Sequence, residues 1–241
     1  MNKSYNYFFL FFSLFINAES IVIDANLNEP EWDTAITINQ YSEVIPFTLQ
    51  PAEERTVAKI FSNENGIYVG FTNFQENSTM LSNKSLRDEI ANTADQNWIS
   101  IDFDNDRQKA YLFFVTLANI KGDGIRRIGG WPEFDWDGDW EVKTKEYDGY
   151  WVSEFLIPWN VALMKNVDSE ERTINISTIR KIAYKQSWIG DAETSARRTN
   201  FLLKLRPIQI KNYTQSKVNY FPYVSKTYNS VTGFNLSLIH I

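Results

Sequence analysis

The sequence predicts an all-β fold, an antiparallel, jelly-roll-like β-sandwich with a few short helical turns. Short apolar runs recur along the chain and are bounded by turn residues at close spacing, which is typical of sandwich strands. Segments with the length and apolar periodicity of crossover helices are missing, which argues against an α/β fold. The chain has 241 residues, 43% of them hydrophobic, which is enough for one sizeable core.

The predicted strands are short, and they cover residues 21–23, 57–61, 67–71, 98–103, 111–117, 140–147, 150–157, 173–179, 183–189 and 201–205. Asn28 is the expected cap of a helical turn over residues 28–32. An Asn-Gly pair ending at Gly66, which favours positive φ, and an Asp-Gly pair ending at Gly149 predict two hairpins. Residues 75–96 are polar without alternation, and they predict a long surface loop.

The composition excludes several classes of function. A net charge of -6 and a pI near 5.0 argue against a nucleic-acid partner, which would need a basic patch. The chain has no cysteine, which excludes disulfides, thiolate zinc sites and cysteine nucleophiles. Its single histidine, His240, lies at the extreme C-terminus, so we expect neither a histidine-based catalytic triad nor a histidine zinc site.

The N-terminal residues have the layout of a secretory signal peptide. Lys3 supplies a positive charge, residues 7–16 form an apolar run, and Ala18 is a small residue at the expected cleavage position. A membrane anchor is the alternative, but the run is shorter than the ~20 apolar residues that span a bilayer. We therefore expect residues 1–18 to be a signal peptide and the domain to be exported.

The most unusual stretch is residues 131–142, WPEFDWDGDWEV, with three tryptophans and five carboxylates. Tryptophan faces stack on flat partners such as sugar rings, and carboxylates accept hydrogen bonds from hydroxyls or bind Ca²⁺. One interpretation is a carbohydrate-binding loop whose contacts come from Trp131, Glu133, Trp136 and Trp140. The other is an aromatic hinge that packs onto the edge of the sandwich while its carboxylates face water. If the loop recognises sugar, Trp136 or Trp140 should present a ring face to solvent.

Two further side chains on predicted strands have alternative roles. Strand alternation places Trp98 on the face opposite Ile99, so Trp98 is either a stacking platform on an open face or part of a satellite core. Glu154 lies on the face opposite Phe155. A buried unpaired carboxylate is costly, so we expect Glu154 to face solvent or to pair with a cation such as Arg180.

Aspartates at alternate positions form two candidate metal sites. They are Asp102, Asp104 and Asp106 in one turn, and Asp135, Asp137 and Asp139 in the aromatic stretch. Carboxylate oxygens suit Ca²⁺, but neither set matches an EF-hand loop. Calcium is therefore the candidate cofactor, and turns that are simply solvated are the alternative.

Five motifs occur in order along the chain: IDANLNEPEWDTA, IYVGF, IDFDNDRQKAYLF, FDWDGDWE and DGYWVSEFLIPW. Their order resembles a family 9 carbohydrate-binding module, in the version found at the N-terminus of bacterial outer-membrane β-barrel proteins of unknown function. The resemblance covers about residues 21–205. It implies a β-sandwich that binds polysaccharide or oligosaccharide, often with calcium. The resemblance implies that sugar-binding members clasp the sugar between two tryptophans. Trp188 matches the second of them, but Asn92 and Thr93, and no aromatic residue, stand in the neighbourhood of the first.

The resemblance divides the chain into a signal peptide (1–18), the sandwich (19–206) and a last segment (207–241), which is a linker and the expected start of a truncated C-terminal β-barrel. Residues 233–241 alternate as a barrel strand does; an added edge strand of the sandwich is the alternative. The expected location is the periplasm, outer membrane or cell surface of a Gram-negative bacterium.

The expected function is an exported, non-catalytic carbohydrate-binding domain that contributes to polysaccharide recognition or breakdown at the cell envelope. Glycoside hydrolysis needs two carboxylates held about 5–10 Å apart on rigid elements. Asp135, Asp137 and Asp139 crowd together on an irregular segment instead, so any associated hydrolysis of O-glycosyl compounds belongs elsewhere. The alternatives are a structural or gating domain of an outer-membrane barrel protein and, less favoured, a glycoside hydrolase or its accessory domain.

Overall fold

The computed structural model describes residues 21–84, 86–88, 93–192, 195 and 197–213, together with the backbone of 224–229 and 233–238. The expected signal peptide lies outside the described residues. In the described part of the chain, no helix is long and apolar enough to cross a membrane.

Two antiparallel sheets form the sandwich, which confirms the predicted fold class. The first sheet has the order β1 (Ile36–Ile38), β3 (Thr56–Ser62), β4 (Gly66–Phe74), β9 (Tyr150–Pro158), β8 (Glu141–Tyr147). The second has the order β2 (Ser42–Ile45), β11 (Ser187–Gly190), β10 (Glu171–Ile182), β5 (Gln96–Asp102), β6 (Lys109–Thr116), β7 (Lys121–Arg127), with β12 (Arg206–Lys211) beside the first half of β10. A separate hairpin pairs β13 (Val224–Asn229) with β14 (Gly233–Leu238).

The main core lies between the two sheets and follows strand alternation. On β5, Ile99 and Ile101 point inward to the core, and Trp98 points to the outer face of the second sheet. Phe155 of β9 is fully buried in the same core. The alternation read from the sequence therefore assigned these faces correctly.

The outer face of the first sheet is covered by the chain that precedes β1. The predicted strand over residues 21–23 does not form, and this segment is irregular. Its position is fixed by Glu154 of β9, whose Oε2 accepts the backbone N–H groups of Asp24 (3.0 Å) and Ala25 (2.8 Å). Glu154 is 0% exposed, so the expectation that it faces solvent or pairs with Arg180 was wrong. The backbone donors take the place of a cation.

A short 3₁₀ helix (Pro30–Asp33) follows, as predicted, although its N-cap is Glu29 and not Asn28. It buries Trp32, which packs edge-on against Phe61 with ring centroids 4.7 Å apart. Gly70 of β4 lies beneath this cover, where a Cβ would come within 2.7 Å of Leu27. The first sheet can be covered here because glycine leaves room for the segment.

Other differences from the predicted strands have local causes. β7 was not predicted, because its sequence KGDGIRR lacks alternation. Its Gly122 is required, since a Cβ there would lie 2.2 Å from the ring of Phe114. Residues predicted as a strand over 201–205 instead form a 3₁₀ helix (Phe201–Lys204). A third 3₁₀ helix (Asn77–Thr79) interrupts the predicted surface loop.

Candidate carbohydrate-binding face

The outer face of the second sheet carries an aromatic cluster where a solvent-facing strand surface would be polar. Trp98 of β5 stacks on Phe114 of β6 with ring centroids 4.1 Å apart and planes 11° apart. Phe134 packs edge-on against both rings, and Phe201 of the 3₁₀ helix completes the cluster. Trp98 is only 7% exposed, so in this conformation it belongs to a satellite core and offers no open stacking face.

Trp188, like Phe134, is a partly exposed member of this cluster. It projects from β11, where its ring lies 5.6 Å from that of Trp98 at an angle of 56°. The ammonium of Lys181, which is paired with Trp188 across the β10–β11 ladder, lies 5.5 Å from the Trp188 ring centroid. Because both side chains come from paired strands, the backbone fixes their relative position.

Burial changes the pKa of the Lys181 side chain. Lys181 is 1% exposed, and burial lowers its pKa to about 8; Asp95 opposes the shift and Arg197 adds to it. Gln96 is paired with Lys181 on the neighbouring strand, and its side-chain oxygen accepts the indole N–H of Trp98 at 2.8 Å. Trp188 is therefore a partly exposed aromatic ring that lies beside the buried side chains of Lys181 and Gln96.

Asp95 lies directly before β5 and accepts hydrogen bonds from two distant segments. Its Oδ2 accepts the backbone N–H of Leu81 and its Oδ1 that of Ala183, both at 2.8 Å. It is 0% exposed, and burial raises its pKa against these hydrogen bonds. The carboxylate thus ties the loop after β4 to the β10–β11 turn. Asn92, which stands near the first tryptophan position of the resemblance, lies outside the described residues.

The aromatic stretch of residues 131–142 wraps around the free edge of β7. Glu133 exchanges two backbone hydrogen bonds with Ile125 of β7, each 2.8 Å long. Phe134 turns to the outer face over Gly124, and Trp136 turns inward to Tyr111, with ring centroids 4.9 Å apart. The stretch therefore packs onto the sandwich edge, as the second of the two interpretations expected.

Trp140 forms the inner end of this stretch. It is 1% exposed, and its ring stacks on Phe155 at 5.8 Å. Its indole N–H donates to Oδ2 of Asp123 at 2.5 Å, and Asp123 is itself buried, which raises its pKa. Trp140 accordingly presents no ring face to solvent, contrary to the expectation for a sugar-binding loop, and Trp136 is only partly exposed.

The tip of the stretch is different, because Trp131 is 65% exposed. Glu133 forms an ion pair with Arg127 at the end of β7. Of the tryptophans named from the sequence, the structure thus buries Trp98 and Trp140, half-buries Trp136 and Trp188, and leaves Trp131 exposed.

The candidate calcium ligands do not converge. Ca²⁺ takes six to eight oxygens at 2.3–2.6 Å, but no three acidic or histidine side chains among the described residues are placed to hold a metal. Asp102 accepts the backbone N–H of Arg107 at 2.7 Å, and Asp106 pairs with Lys165 at 2.7 Å. Asp104 accepts the backbone N–H of Lys165 at 2.8 Å. These carboxylates are used by the chain itself, so they do not fit a calcium ion.

In the second acidic set, Asp135, Asp137 and Asp139 are exposed. Asp137 pairs with Arg87, which also reaches Asp123. The guanidinium of Arg87 therefore already pairs with two carboxylates, those of Asp123 and Asp137. Calcium, as the resemblance implied it, gains no support from either set of residues.

Sequence reasoning missed Lys181, Gln96 and Asp95. Lys181 gave no clear signal, because alternation places it on the same face of β10 as Thr173, Asn175 and Ser177, where a further polar residue is unremarkable. Asp95 gave no signal, since its donors come from residues 14 and 88 positions away.

No protein-family model and no curated protein matched the sequence. Among solved structures, the fold is similar to a family 9 carbohydrate-binding module (CBM9) from Caldicellulosiruptor kristjanssonii in complex with cellotriose. The two share 16% identity with a TM-score of 0.55, over 85% of this chain and 96% of that one. The fold is CBM9-like.

The same module in complex with glucose gives 16% identity and a TM-score of 0.53, over 84% of this chain and 96% of that chain. A Bacteroides uniformis ATCC 8492 protein thought to bind carbohydrate gives 10% identity and a TM-score of 0.54, over 72% of this chain and 87% of that one. At these identities the likeness establishes the CBM9-like sandwich, and the function has to be argued from the site.

Proposed function

We propose that this CBM9-like domain is an exported, non-catalytic carbohydrate-binding domain that recognises polysaccharide or oligosaccharide at the bacterial cell envelope. The observation that carries the proposal is Trp188, a partly exposed ring held on a strand beside the Lys181 ammonium. A sugar can stack its C–H face on the indole while its hydroxyls hydrogen-bond to neighbouring polar groups. The sugar ligands of the C. kristjanssonii structures are consistent with this ligand class.

Trp131 is proposed as a second contact, because its exposed ring lies close in sequence to the Arg127–Glu133 ion pair. Each hydroxyl exchanges a hydrogen bond with water for one with protein, with a net gain of about 1 kcal/mol. Stacking on tryptophan is therefore expected to decide whether binding is measurable.

The test is calorimetry and affinity electrophoresis against a panel of neutral plant and algal glycans that includes cellotriose. We expect wild type to bind, Trp188→Ala to lose measurable binding while remaining folded, and Trp131→Ala to bind more weakly. Leu163→Ala is the matched control, since Leu163 is 85% exposed and lies outside this face. The proposal fails if folded wild type binds no member of the panel, or if Trp188→Ala binds as wild type does.

The burial of Trp98 and Trp140 favours a second candidate, a structural or gating domain of an outer-membrane protein that binds no sugar. In that case the aromatic side chains serve only to close the sandwich edge and outer face. The same glycan panel separates the two candidates, because a folded domain that binds no glycan supports the structural role.

A further inference from the structure

A groove of about 540 Å³ lies where the two sheets part, at the edge formed by β1, β3 and β12. Its volume is within the roughly 300–1,000 Å³ range of small-molecule sites. β12 pairs with the first half of β10, where Gln209 lies opposite Thr173, whereas Lys181 lies eight residues further along β10. At ~3.3 Å per residue, the groove is about 26 Å from the Trp188 face.

The two walls of the groove are tied together. The hydroxyl of Ser62, at the end of β3, donates to the backbone oxygen of Lys211 at 3.0 Å. The indole N–H of Trp159 donates to the backbone oxygen of Asn63 at 2.7 Å, and the Trp159 ring lies 6.4 Å from that of Tyr213. The groove is therefore preformed and does not require a conformational change to open.

The groove offers both an apolar ring and unused polar groups. Phe61 lines it and is held rigid by stacking on Tyr68, with centroids 4.8 Å apart and planes 3° apart. Asn65, Gln209 and Lys211 also line it, and their side chains make no hydrogen bond or ion pair within the described residues. Amide groups donate and accept together, as hydroxyls require.

The charges of the lining argue against an anionic ligand. Glu31 and Glu64 bring two carboxylates to the groove, and Lys211 brings one ammonium. Nucleic acids, phosphates and acidic glycans would meet net repulsion here. A neutral sugar chain meets a ring for its C–H face together with donors and acceptors for its hydroxyls.

We propose that this groove is a second binding site for a neutral oligosaccharide, separate from the Trp188 face. Its ligand class rests on the proposed function, but its residues are independent of Trp188. The groove would let one chain contact two points of a polysaccharide, which raises the apparent affinity by effective concentration.

The test is an NMR titration of the full chain with cellotriose, xylotriose and mannotriose, and with trigalacturonate as the anionic comparison. We expect the side-chain amide signals of Asn65 and Gln209 to shift with at least one neutral sugar and not with trigalacturonate. Both shifts should persist in Trp188→Ala, and the Asn65 shift should disappear in a Gln209→Ala/Tyr213→Ala double variant. Leu203→Ala, exposed and outside the groove, should behave as wild type.

Several outcomes would overturn the groove site. If sugar shifts only signals near Trp188, the groove is wrong and the proposed function survives. If no sugar shifts any signal of the folded protein, both proposals fail. If the groove signals change on dilution without sugar, a second copy of the chain occupies the groove; if trigalacturonate shifts them as strongly, the neutral preference is wrong.

Discussion

Glu154 should make this domain less stable as the pH rises, which is the reverse of the usual effect of a carboxylate in a folded protein. Its carboxylate is 0% exposed, and burial raises its pKa from 4.5 to about 7. The backbone N–H groups of Ala25 and Asp24 act against the shift, and the carboxylates of Glu29 and Asp24 add to it. Its Oε1 is buried with no hydrogen-bond partner in the described part of the chain, and this oxygen is where we expect the proton.

Because the folded pKa lies above the unfolded value, Glu154 keeps its proton in the folded state over a range where the unfolded chain has lost it. Its favourable contribution is complete below pH 4.5, declines as the pH rises to about 7, and then stays constant. At about 1.4 kcal/mol per unit between the two pKa values, the whole change is about 3 kcal/mol.

The perturbation is Glu154→Gln, which keeps the shape and removes the titration. We expect the free energy of unfolding of the variant, relative to wild type, to rise by about 3 kcal/mol between pH 4.5 and pH 8. Urea denaturation at several pH values gives this difference and cancels the contributions of other buried acids such as Asp95. Glu146→Gln, at an exposed position on the neighbouring strand β8, is the control and should show a flat difference. A difference for Glu154→Gln that does not change with pH would refute the reasoning.

Two further predictions concern packing and metal. Gly66→Ala should lower the free energy of unfolding by about 1–3 kcal/mol, because a Cβ would lie 2.3 Å from the backbone oxygen of Ile157. Gly130→Ala, whose Cβ would meet its nearest atom at 3.3 Å, should cost less in the same urea experiment, and an equal cost would contradict this explanation. Neither added calcium nor a chelator should change the melting temperature, because backbone donors and Lys165 already use Asp104 and Asp106. A rise in melting temperature with calcium would show that another set of ligands exists.

Elements governed by local patterns were predictable from the sequence. The hairpin turn at Gly149 has φ of +80°, which glycine adopts without strain, and the strands on both sides pair in register. Gly66 was predicted as a turn residue for its positive φ, yet the structure gives it no such φ. Its role is the close approach of β9, which no local pattern could reveal.

Elements that depend on distant partners were not predictable. The apolar residues 21–23 resemble a strand, but the segment is held by Glu154, some 130 positions away in the sequence. In the aromatic stretch, the sequence showed alternating rings and carboxylates but not which rings are buried. Their burial depends on β7 being an edge strand. β7 was not predicted, because its pattern is interrupted by Gly122, which makes room for Phe114, and by Gly124, which makes room for Phe134.

The coverage of both sheets limits where a ligand can bind. The segment before β1 packs on the outer face of the first sheet at Gly70, and Phe134 and Phe201 pack on the outer face of the second. A sandwich with an open aromatic face could lie flat on a polymer surface, but here the large rings are used to hold the covering segments. The surfaces that remain for the proposed ligand contacts are Trp188, the exposed tip at Trp131 and the edge groove. Loss of Trp98 should accordingly affect folding, whereas loss of Trp188 should affect binding, so the two substitutions distinguish the structural from the recognition role of the same aromatic cluster.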